Sequence, residues 1–467
     1  PPPPPPPFFF HPHPGIPDSA ASRGLGDVYK RQSLASSLSA GETNKENFTR
    51  FRGQNGDGVS SDDPRLPETW STTENVKWAT DIPGWAWSCP TIWGDKVFLT
   101  TVVSEEENTK PSKGLYLGQG VRDPAKGIHQ WLVYCMDINT GKVIWKKQAH
   151  KGNPVVPRHP KSTYGVETAT TDGERLYVLF GDLGLFCYDL DGELLWQHDI
   201  TPEKTFYDYG AAASPVVHDD QVIFVYDNQG QSYITSLDTK TGKVQWRTDR
   251  DERTTWATPY IWQNKQRTEI VVCGFNRNRS YDLDGNLLWE FNGRMSNLVI
   301  PSPFAIDGIL YITSGYIGDA HRPVFAIRPG ASGDITLDGD QNANDYIVWY
   351  LPLAGPYNPS PIVYKGQYYT LYDRGFLTSH EAKTGKEIYG KRRFAGGVSF
   401  TSSPWAYNGK LFFLSEDGDT YVVKAGSEFE VIGKNSLGEL CLSTPAVSQG
   451  KLFIRTATKL YCITNEQ

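Results

Sequence analysis

Short stretches of alternating apolar and polar residues, separated by glycine-containing turns, recur along most of the 467-residue chain. A typical one is Leu237–Trp246, LDTKTGKVQW, in which an apolar strand ends at an aspartate, a polar turn holds a glycine, and the next strand carries a tryptophan. Glycine tolerates the positive φ of such a turn, and aspartate can hydrogen-bond the turn amides. The pattern predicts a β-hairpin. Because an isolated hairpin is marginally stable in water, it should belong to a larger sheet.

The same hairpin recurs in other segments, so the chain is built from a repeat. Met136–Trp145 keeps the Thr-Gly-Lys turn, whereas Tyr188–Trp196 and Tyr281–Trp289 carry Asp-Gly and are one residue shorter. Asp-Gly is favoured in tight two-residue turns, so the turn changes length while the tryptophan keeps its place on the strand. We predict that the repeat tryptophans pack neighbouring units together. They are Trp78, Trp145, Trp196, Trp246, Trp289 and Trp349.

A second element alternates with the first and consists of small residues, a proline, a short apolar stretch, a polar turn and an apolar strand. Proline cannot donate a hydrogen bond to a sheet, so each of these short strands should lie at the edge of its sheet. An eighth copy, Thr168–Phe180, lacks the proline. The prolines of the other seven copies are Pro90, Pro215, Pro259, Pro303, Pro361, Pro404 and Pro445.

Together the two elements give a unit of four short antiparallel strands, which is typical of a propeller blade. The eight copies of the second element predict eight such units. The last unit lacks its fourth strand, and Asn75–Ile82 supplies one from the other end of the sequence. We therefore predict an all-β fold, an eight-bladed β-propeller over residues 48–467, in which the N-terminal strand around Trp78 joins the C-terminal blade and closes the ring.

Composition narrows the classes of function. The chain has 46 Lys and Arg against 53 Asp and Glu, a net charge of −7, and no basic stripe, which argues against a nucleic-acid partner. No apolar run approaches the ~20 residues of a membrane-spanning helix. Residues 1–32 are low in complexity and then unpatterned, and we exclude them from the fold. Residues 33–47 resemble the end of a secretory signal or a Ser-rich linker. We expect an exported protein, periplasmic or secreted, that is a monomer.

The signature Asp-x-x-Thr-Gly-Lys-x-x-Trp and the lead-in Phe51–Gly84 resemble the PQQ-like (pyrroloquinoline quinone) repeat proteins of bacteria. The resemblance covers residues 48–467 and is specific for the fold but weak for function. It implies two alternatives: BamB-like scaffolds that bind proteins without a cofactor, and quinoprotein dehydrogenases that hold the quinone together with Ca²⁺. The dehydrogenases typically also have a disulfide between adjacent cysteines, and this chain has no Cys-Cys pair.

Other candidate chemistry has structural explanations. Cys135, Cys187 and Cys462 share a strand position that holds a small residue in other repeats, so we expect buried free thiols at these and the remaining cysteines. Leu337–Tyr346 alternates acidic and amide residues as a Ca²⁺ loop would, but it has Ala343 where such a loop bends at glycine, and it lacks the closing glutamate. We predict no metal site and no cofactor, with PQQ and calcium as the alternative.

We expect function on the face with long and varied connections, since the turns of the opposite face are tight. Aromatic, arginine and acidic side chains around a funnel suit a sugar, a peptide or a quinone-like ring. The candidate ligand-binding residues are Trp85, Trp87, His159, Tyr164, Glu167, Asp208, Tyr209, Arg253, Trp256, Asn276, Arg277, His321, Arg322, Asn358, Asp373 and Arg374.

The preferred hypothesis is a non-catalytic scaffold that binds a protein or carbohydrate ligand in this funnel. The alternative is a PQQ-dependent dehydrogenase with divergent cofactor contacts. A third hypothesis is a lyase or hydrolase that uses Glu167, His159 and Tyr164. It requires these side chains to lie within hydrogen-bond reach of one another.

Overall fold

Eight sheets of mostly antiparallel strands follow one another in the computed structural model, which describes residues 46–106, 110–116, 121–396 and 398–466. The predicted leader, residues 1–32, and most of the segment 33–47 lie outside the described residues. Among the described residues the one helical element is the single 3-10 turn Phe206–Asp208. None of the described helices is long and apolar enough to cross a membrane.

The strands are numbered in chain order, beginning with β1 (Val76–Asp81). Blade 1 consists of β2 (Thr91–Trp93), β3 (Lys96–Ser104), β4 (His129–Asp137) and β5 (Val143–Gly152), and blade 2 of β6 (Thr170–Thr171), β7 (Arg175–Phe180), β8 (Gly184–Asp189) and β9 (Leu194–Asp199). Blade 3 consists of β10 (Val216–His218), β11 (Gln221–Tyr226), β12 (Ser232–Asp238) and β13 (Val244–Arg250), and blade 4 of β14 (Tyr260–Gln263), β15 (Thr268–Val272), β16 (Asn278–Tyr281) and β17 (Leu287–Phe291).

Blades 5 to 8 follow, with β21 as an insertion in blade 5 and β1 as the fourth strand of blade 8. Their strands are β18 (Phe304–Ile306), β19 (Ile309–Thr313), β20 (Val324–Ile327), β21 (Gly333–Asp334), β22 (Ile347–Leu351), β23 (Ile362–Tyr364), β24 (Gln367–Tyr372), β25 (Phe376–Glu381), β26 (Glu387–Arg393), β27 (Trp405–Tyr407), β28 (Lys410–Leu414), β29 (Asp419–Lys424), β30 (Val431–Ser436), β31 (Ala446–Ser448), β32 (Lys451–Arg455) and β33 (Lys459–Ile463).

The predicted eight-bladed propeller is confirmed. β1 pairs antiparallel with β33, with Trp78 opposite Cys462, so the N-terminal strand completes the C-terminal blade. The first strand of each blade lies at the edge of its sheet, as the prolines indicate, and in blades 1 to 4 it contacts the first strand of the next blade. These edge strands therefore surround the axis of the ring.

The repeat tryptophans make one recurring contact between blades. The indole N–H of Trp196 donates to the carbonyl of Thr239 in the next blade at 3.0 Å. The indole ring lies so close to Gly242 that a Cβ there would come within 2.5 Å of it, and the φ of 67° at this turn also favours glycine. Equivalent bonds run from Trp78, Trp145, Trp246 and Trp349 to the carbonyls of Ile138, Leu190, Leu283 and Ala382.

Blade 4 departs from this pattern. The indole of Trp289 donates instead to Glu269 of its own sheet, at 2.7 Å. The insertion between β20 and β22 contributes β21, which pairs in parallel with β17 and places Gly333 opposite Trp289. Blade 4 thus has a fifth strand on its outer edge, which the sequence did not predict.

The lead-in segment, residues 48–60, crosses the axis beside the tight turns that end the innermost strands. It bonds to blades 1, 2, 6 and 7 through the pairs Phe48–Ile92, Thr49–Thr171, Arg52–Pro361 and Ser60–Ala406. The guanidinium of Arg52 is buried on this path and lies 5.0 Å from the centre of the Phe304 ring. This axial plug closes the channel on the side opposite the long loops.

All six cysteines are buried and unpaired, as expected. Burial raises the thiol pKa of Cys135, Cys273 and Cys462 to about 12, so these thiols stay protonated. They fill small sites in the sheets and offer no reactive thiolate.

Candidate functional site

The residues that precede the innermost strands form a ring around the axis, in which seven hydrogen bonds link neighbouring blades from Cys89 round to Thr444. The backbone N–H of Ser214 donates to the hydroxyl of Thr258 in the next blade at 3.1 Å, and that of Thr258 donates to Ser302 at 3.0 Å. No described residue accepts the protons of these hydroxyls, so they remain available to a ligand. The members of this hydroxyl ring, with a cysteine at one position, are Cys89, Thr168, Ser214, Thr258, Ser302, Ser360, Ser403 and Thr444.

A funnel-shaped cavity of about 220 Å³ lies above this ring, on the side of the long loops. Phe51 of the axial plug contributes to its lining, and the largest side chains of the walls are aromatic. The indoles of Trp87 and Trp256 are fixed because they donate to the carbonyls of Lys161 and Gly210, at 2.8 and 2.7 Å. The other aromatic wall residues are Tyr116, Tyr209 and Tyr357. The funnel therefore combines rigid aromatic walls with a hydroxyl floor.

A buried ion pair joins two sides of this funnel. The ammonium of Lys161 lies 2.5 Å from a carboxylate oxygen of Glu416, which is 1% exposed. Thr401 donates to the same carboxylate at 2.7 Å, and the N–H of Gly114 donates at 2.6 Å. These contacts satisfy the charges and leave the funnel wall electrically neutral at this point.

His159 also lines the funnel, and it is held in the neutral state. Burial, together with the positive charges of Lys161, Arg122 and Arg158, lowers its pKa to about 3. Its Nδ1 accepts a hydrogen bond from the backbone N–H of Lys161 at 3.1 Å. Its Nε2 is buried with no hydrogen-bond partner among the described residues. The imidazole thus presents a polar edge without a charge.

Of the sequence-predicted residues, the structure brings five to the funnel: Trp87, His159, Tyr209, Trp256 and Asn358. Tyr164 and Glu167 line a separate cavity of about 20 Å³ between blades 1 and 2, and Tyr209 borders that cavity as well. Arg322, Asp373 and Arg374 line a third, between blades 5 and 6.

The remaining predicted residues make contacts within the loops. Arg253 lies over the rings of Phe206 and Phe275 and donates to Asn297 at 2.8 Å. Trp85 packs edge-on to Trp87, with 6.3 Å between the ring centres. Asp208 accepts a hydrogen bond from the backbone N–H of Arg122, and the backbone N–H of Asn276 donates to Glu252. Arg277 forms ion pairs with Glu290 and Asp334. His321 is exposed.

The three residues of the lyase or hydrolase hypothesis do not form a hydrogen-bonded group. The hydroxyl of Tyr164 donates to the carbonyl of Val156 at 3.0 Å, and Glu167 accepts from the N–H of Gly181 at 3.1 Å. His159 faces the funnel instead. The geometry that this hypothesis requires is therefore not present.

The buried carboxyl group of Glu167 should make the stability of the protein depend on pH, which gives a test of its burial. Burial raises its pKa from 4.5 to about 8, so the folded protein retains a proton that the unfolded chain releases above pH 4.5. The stabilisation is complete below pH 4.5 and is lost as the pH rises to about 8. We expect Glu167→Gln, which keeps the accepting oxygen, to match wild type at pH 5 and to exceed it at pH 8 by on the order of 2 kcal/mol.

Urea denaturation at both pH values measures this difference. Glu193→Gln, at an exposed glutamate in a tight turn of the same blade, is the matched control and should run parallel to wild type. Parallel curves for Glu167→Gln would show that Glu167 is ionised in the folded protein.

Sequence reasoning missed several residues of the site. Lys161 and Glu416 are 255 positions apart, and nothing local in either segment signals their pairing. Tyr116 lies in the long insertion of blade 1, whose path the repeat does not determine. The hydroxyl ring left a visible signal, since serine or threonine precedes the proline in six of the eight repeats.

Comparison with known proteins places this architecture in a wider group. The family described as outer membrane protein assembly factor BamB matches residues 58–205 and 129–297, which together span more than half of the chain. A search of curated protein sequences finds no match.

Among solved structures, BamB from Moraxella catarrhalis is similar, with a TM-score of 0.54 and 12% identity over 83% of this chain and 98% of that one. A europium-containing methanol dehydrogenase gives a TM-score of 0.55 and 10% identity over 89% and 98%. The quinohemoprotein alcohol dehydrogenase ADHIIG from Pseudomonas putida HK5 gives 0.54 and 11% over 90% and 80%. At these identities the similarity shows the fold alone.

The funnel does not fit a quinone cofactor with calcium. Pyrroloquinoline quinone carries three carboxyl groups, and the one cation in the described lining of the funnel is Lys161, which is already paired with Glu416. Among the described residues, no three His, Cys, Asp or Glu side chains are grouped to hold a metal ion. The donors that the dehydrogenase alternative requires are therefore not assembled here.

Proposed function

We propose that this chain, which belongs to the PQQ-like repeat family described as outer membrane protein assembly factor BamB, is an exported scaffold that binds a protein or polysaccharide ligand at its loop-rich face without catalysis. The observation that carries the proposal is the funnel itself. Its walls are rigid aromatic rings, its floor is a ring of hydroxyls, and its far end is closed by the axial plug.

Each feature of the funnel favours a polymeric ligand that inserts one of its ends from the loop side. Aromatic faces take up the apolar faces of sugar rings or apolar side chains. Hydroxyls whose protons are not otherwise donated can bond to ligand oxygens. The closed floor leaves the loop side as the route of access, so the ligand inserts and does not pass through. With His159 neutral and Lys161 paired with Glu416, the described lining of the funnel holds no unpaired charged group that could act as a catalyst.

Filling the funnel should strongly weaken ligand binding. Ala212 lines the cavity, and Ala212→Trp places a bulky ring in it without removing a polar contact. Against a panel of soluble polysaccharides and peptides, we expect every ligand that binds wild type to bind this variant at least about 10-fold more weakly, measured by calorimetry. Ala343→Trp, at an exposed alanine in the insertion of blade 5, is the control and should bind as wild type does. Unchanged binding by Ala212→Trp would place the ligand outside the funnel.

The dehydrogenase alternative has a direct test of its own. PQQ and Ca²⁺ are added to the protein, the melting temperature is recorded, and dye reduction is assayed with alcohols and aldoses. We expect no shift in melting temperature and no dye reduction, because the described residues of the funnel offer neither a free cation for the carboxylates nor a group of metal ligands. A tight, cofactor-dependent shift would overturn the scaffold proposal.

A further inference from the structure

A second cavity of about 220 Å³ lies beside the funnel, between blades 5 and 6 on the loop-rich face. Three basic side chains line it, Arg322, Arg374 and Lys391, and we call it the basic pocket. They come from three separate segments: the loop after β19, the turn after β24, and the outer strand β26. Tyr357 lines both the basic pocket and the funnel, so the two cavities share a wall.

No acidic residue among those that the structure describes forms an ion pair with any of these three cations. Two other basic residues of this face do have acidic partners: Lys161 pairs with Glu416, and Arg277 pairs with Glu290 and Asp334. The chain as a whole is acidic, with a net charge of −7, so the missing ion pairs do not result from a shortage of acidic residues. Three unpaired cations around one cavity in an acidic protein leave a positive potential at that point.

The interior of the basic pocket is prepared for an anion. The Nε of Arg322 is buried and has no hydrogen-bond partner among the described residues, which is costly unless a ligand supplies an acceptor. The ammonium of Lys391 lies 5.1 Å from the centre of the Tyr372 ring. Burial, with the positive charge of Arg322, lowers the pKa of Lys391, as expected for cations held near one another.

The pocket also contains one carboxyl group, that of Asp373. It is 8% exposed, its Oδ2 is buried without a partner among the described residues, and burial raises its pKa. It forms no ion pair with the three cations within 4 Å, but the nearby positive charge of Arg374 acts against the rise in its pKa. The three cations and this carboxyl group give the basic pocket a net charge of +2 when Asp373 is ionised and +3 when it is protonated.

We propose that the basic pocket binds the carboxylate or sulfate group of an acidic polysaccharide whose terminal ring occupies the funnel. This inference rests on the proposed function of the funnel and adds the class of its ligand. Guanidinium groups bind planar carboxylates and sulfates through charge-assisted hydrogen bonds. The shared wall at Tyr357 places such a group next to a sugar ring in the funnel, and the hydroxyl floor favours a sugar over a peptide side chain.

The test uses the full chain and pairs of oligosaccharides that differ only in charge. Glucuronate and galacturonate oligomers are compared with their methyl esters, and sulfated oligomers with their desulfated forms, by calorimetry at low and moderate salt. We expect the acidic member of at least one pair to bind about 10-fold or more tightly than its neutral partner, with the difference shrinking as salt rises. A glutamate-rich peptide of equal charge should bind more weakly than that acidic oligosaccharide.

Two variants locate the effect. Arg374→Gln, at an exposed position, and Arg322→Gln, inside the pocket, should each weaken binding of the acidic oligosaccharide about 10-fold while leaving the neutral partner unchanged. Lys383→Gln, an exposed lysine in a tight turn of the same blade, removes one charge elsewhere and should have no effect.

The outcomes separate the two proposals. Equal binding of acidic and neutral members, unchanged binding by both arginine variants, or tighter binding of the peptide would overturn the basic-pocket proposal while the funnel proposal stands. No binding of any oligosaccharide, acidic or neutral, would overturn the basic-pocket proposal, and the funnel proposal would then depend on the peptide arm of the Ala212→Trp experiment.

Discussion

Asp227→Ala is expected to destabilise the protein by about 3–5 kcal/mol. The carboxylate of Asp227 accepts two hydrogen bonds from Arg250, at 2.9 and 3.2 Å, and both side chains are fully buried. Thr255 donates to the same carboxylate at 2.7 Å. Without Asp227 the buried guanidinium of Arg250 keeps only neutral hydrogen-bond partners, the hydroxyl of Tyr281 and the carbonyl of Cys273 in blade 4. The nearby carboxylate of Glu252 is already paired with Arg279, so the loss should be close to that of a buried charge without its partner.

The same strand offers a matched control. Arg247 and Asp249 form an ion pair at 3.1 Å whose side chains are 46% and 63% exposed, and Asp249→Ala should cost less than about 1 kcal/mol. Urea denaturation of both variants gives the two values. A cost for Asp227→Ala as small as that for Asp249→Ala would mean that Arg250 reaches water or another acceptor when its partner is removed. Replacing Asp227 and Arg250 together by leucine and methionine should recover most of the lost stability.

Gly242→Ala is expected to cost about 3 kcal/mol, from two separate causes. Alanine in the left-handed region costs about 1–2 kcal/mol, and the φ of Gly242 is 67°. The new Cβ would also lie 2.5 Å from the indole of Trp196, and relieving such a contact in a packed region costs about 1–3 kcal/mol more.

Gly308→Ala separates these causes, because Gly308 has a φ of 78° and a Cβ added there would meet no atom within 4 Å. It should show only the backbone cost. A double-mutant cycle of Gly242→Ala with Trp196→Ala should show a coupling of more than about 1 kcal/mol, since removing the indole relieves the clash. Equal costs for the two glycine variants, with no coupling, would remove the packing explanation.

The repeat could be predicted from the sequence because its signals are local. The turn glycine, the aspartate before it and the tryptophan after it occur within ten residues, and the proline indicates an edge strand. Counting the repeats then gave the number of blades and the position of β1. The pairing of β21 with β17 could not be predicted, because a two-residue strand has no pattern of its own.

Blade 7 shows another limit of local patterns. The aromatic residue of the repeat is absent from this blade, and Gly433 lies opposite Val422 at the corresponding register. Trp70, from the segment that precedes β1, packs in the core of blades 7 and 8, with its ring 6.2 Å from that of Phe412. The missing aromatic is thus replaced from a segment more than 300 residues away. The role of Trp70 in place of the missing aromatic residue can be seen only in the assembled ring.

The candidate site could be predicted by its face but not by its membership. Long loops such as the insertion of blade 1 do border the funnel, and five of the sixteen candidate residues line it. The others line two neighbouring cavities or make contacts within loops. The repeat predicts where a loop begins, but it does not determine the direction in which the side chains of that loop point. Lys391 was missed for the opposite reason: it lies on an outer strand, where no site was sought.

The axial plug has a consequence for the order of folding. Its partners include Ala406 of blade 7, and β1 pairs with Lys459–Ile463. Residues 46–81 therefore cannot all reach their native places until β33 has been synthesised, although they precede blade 1 in the sequence. Contacts at such long sequence separation close late and slow folding. During synthesis the unclosed ring exposes strand edges at both ends, so the growing chain should depend on protection from aggregation until the C-terminal blade is complete.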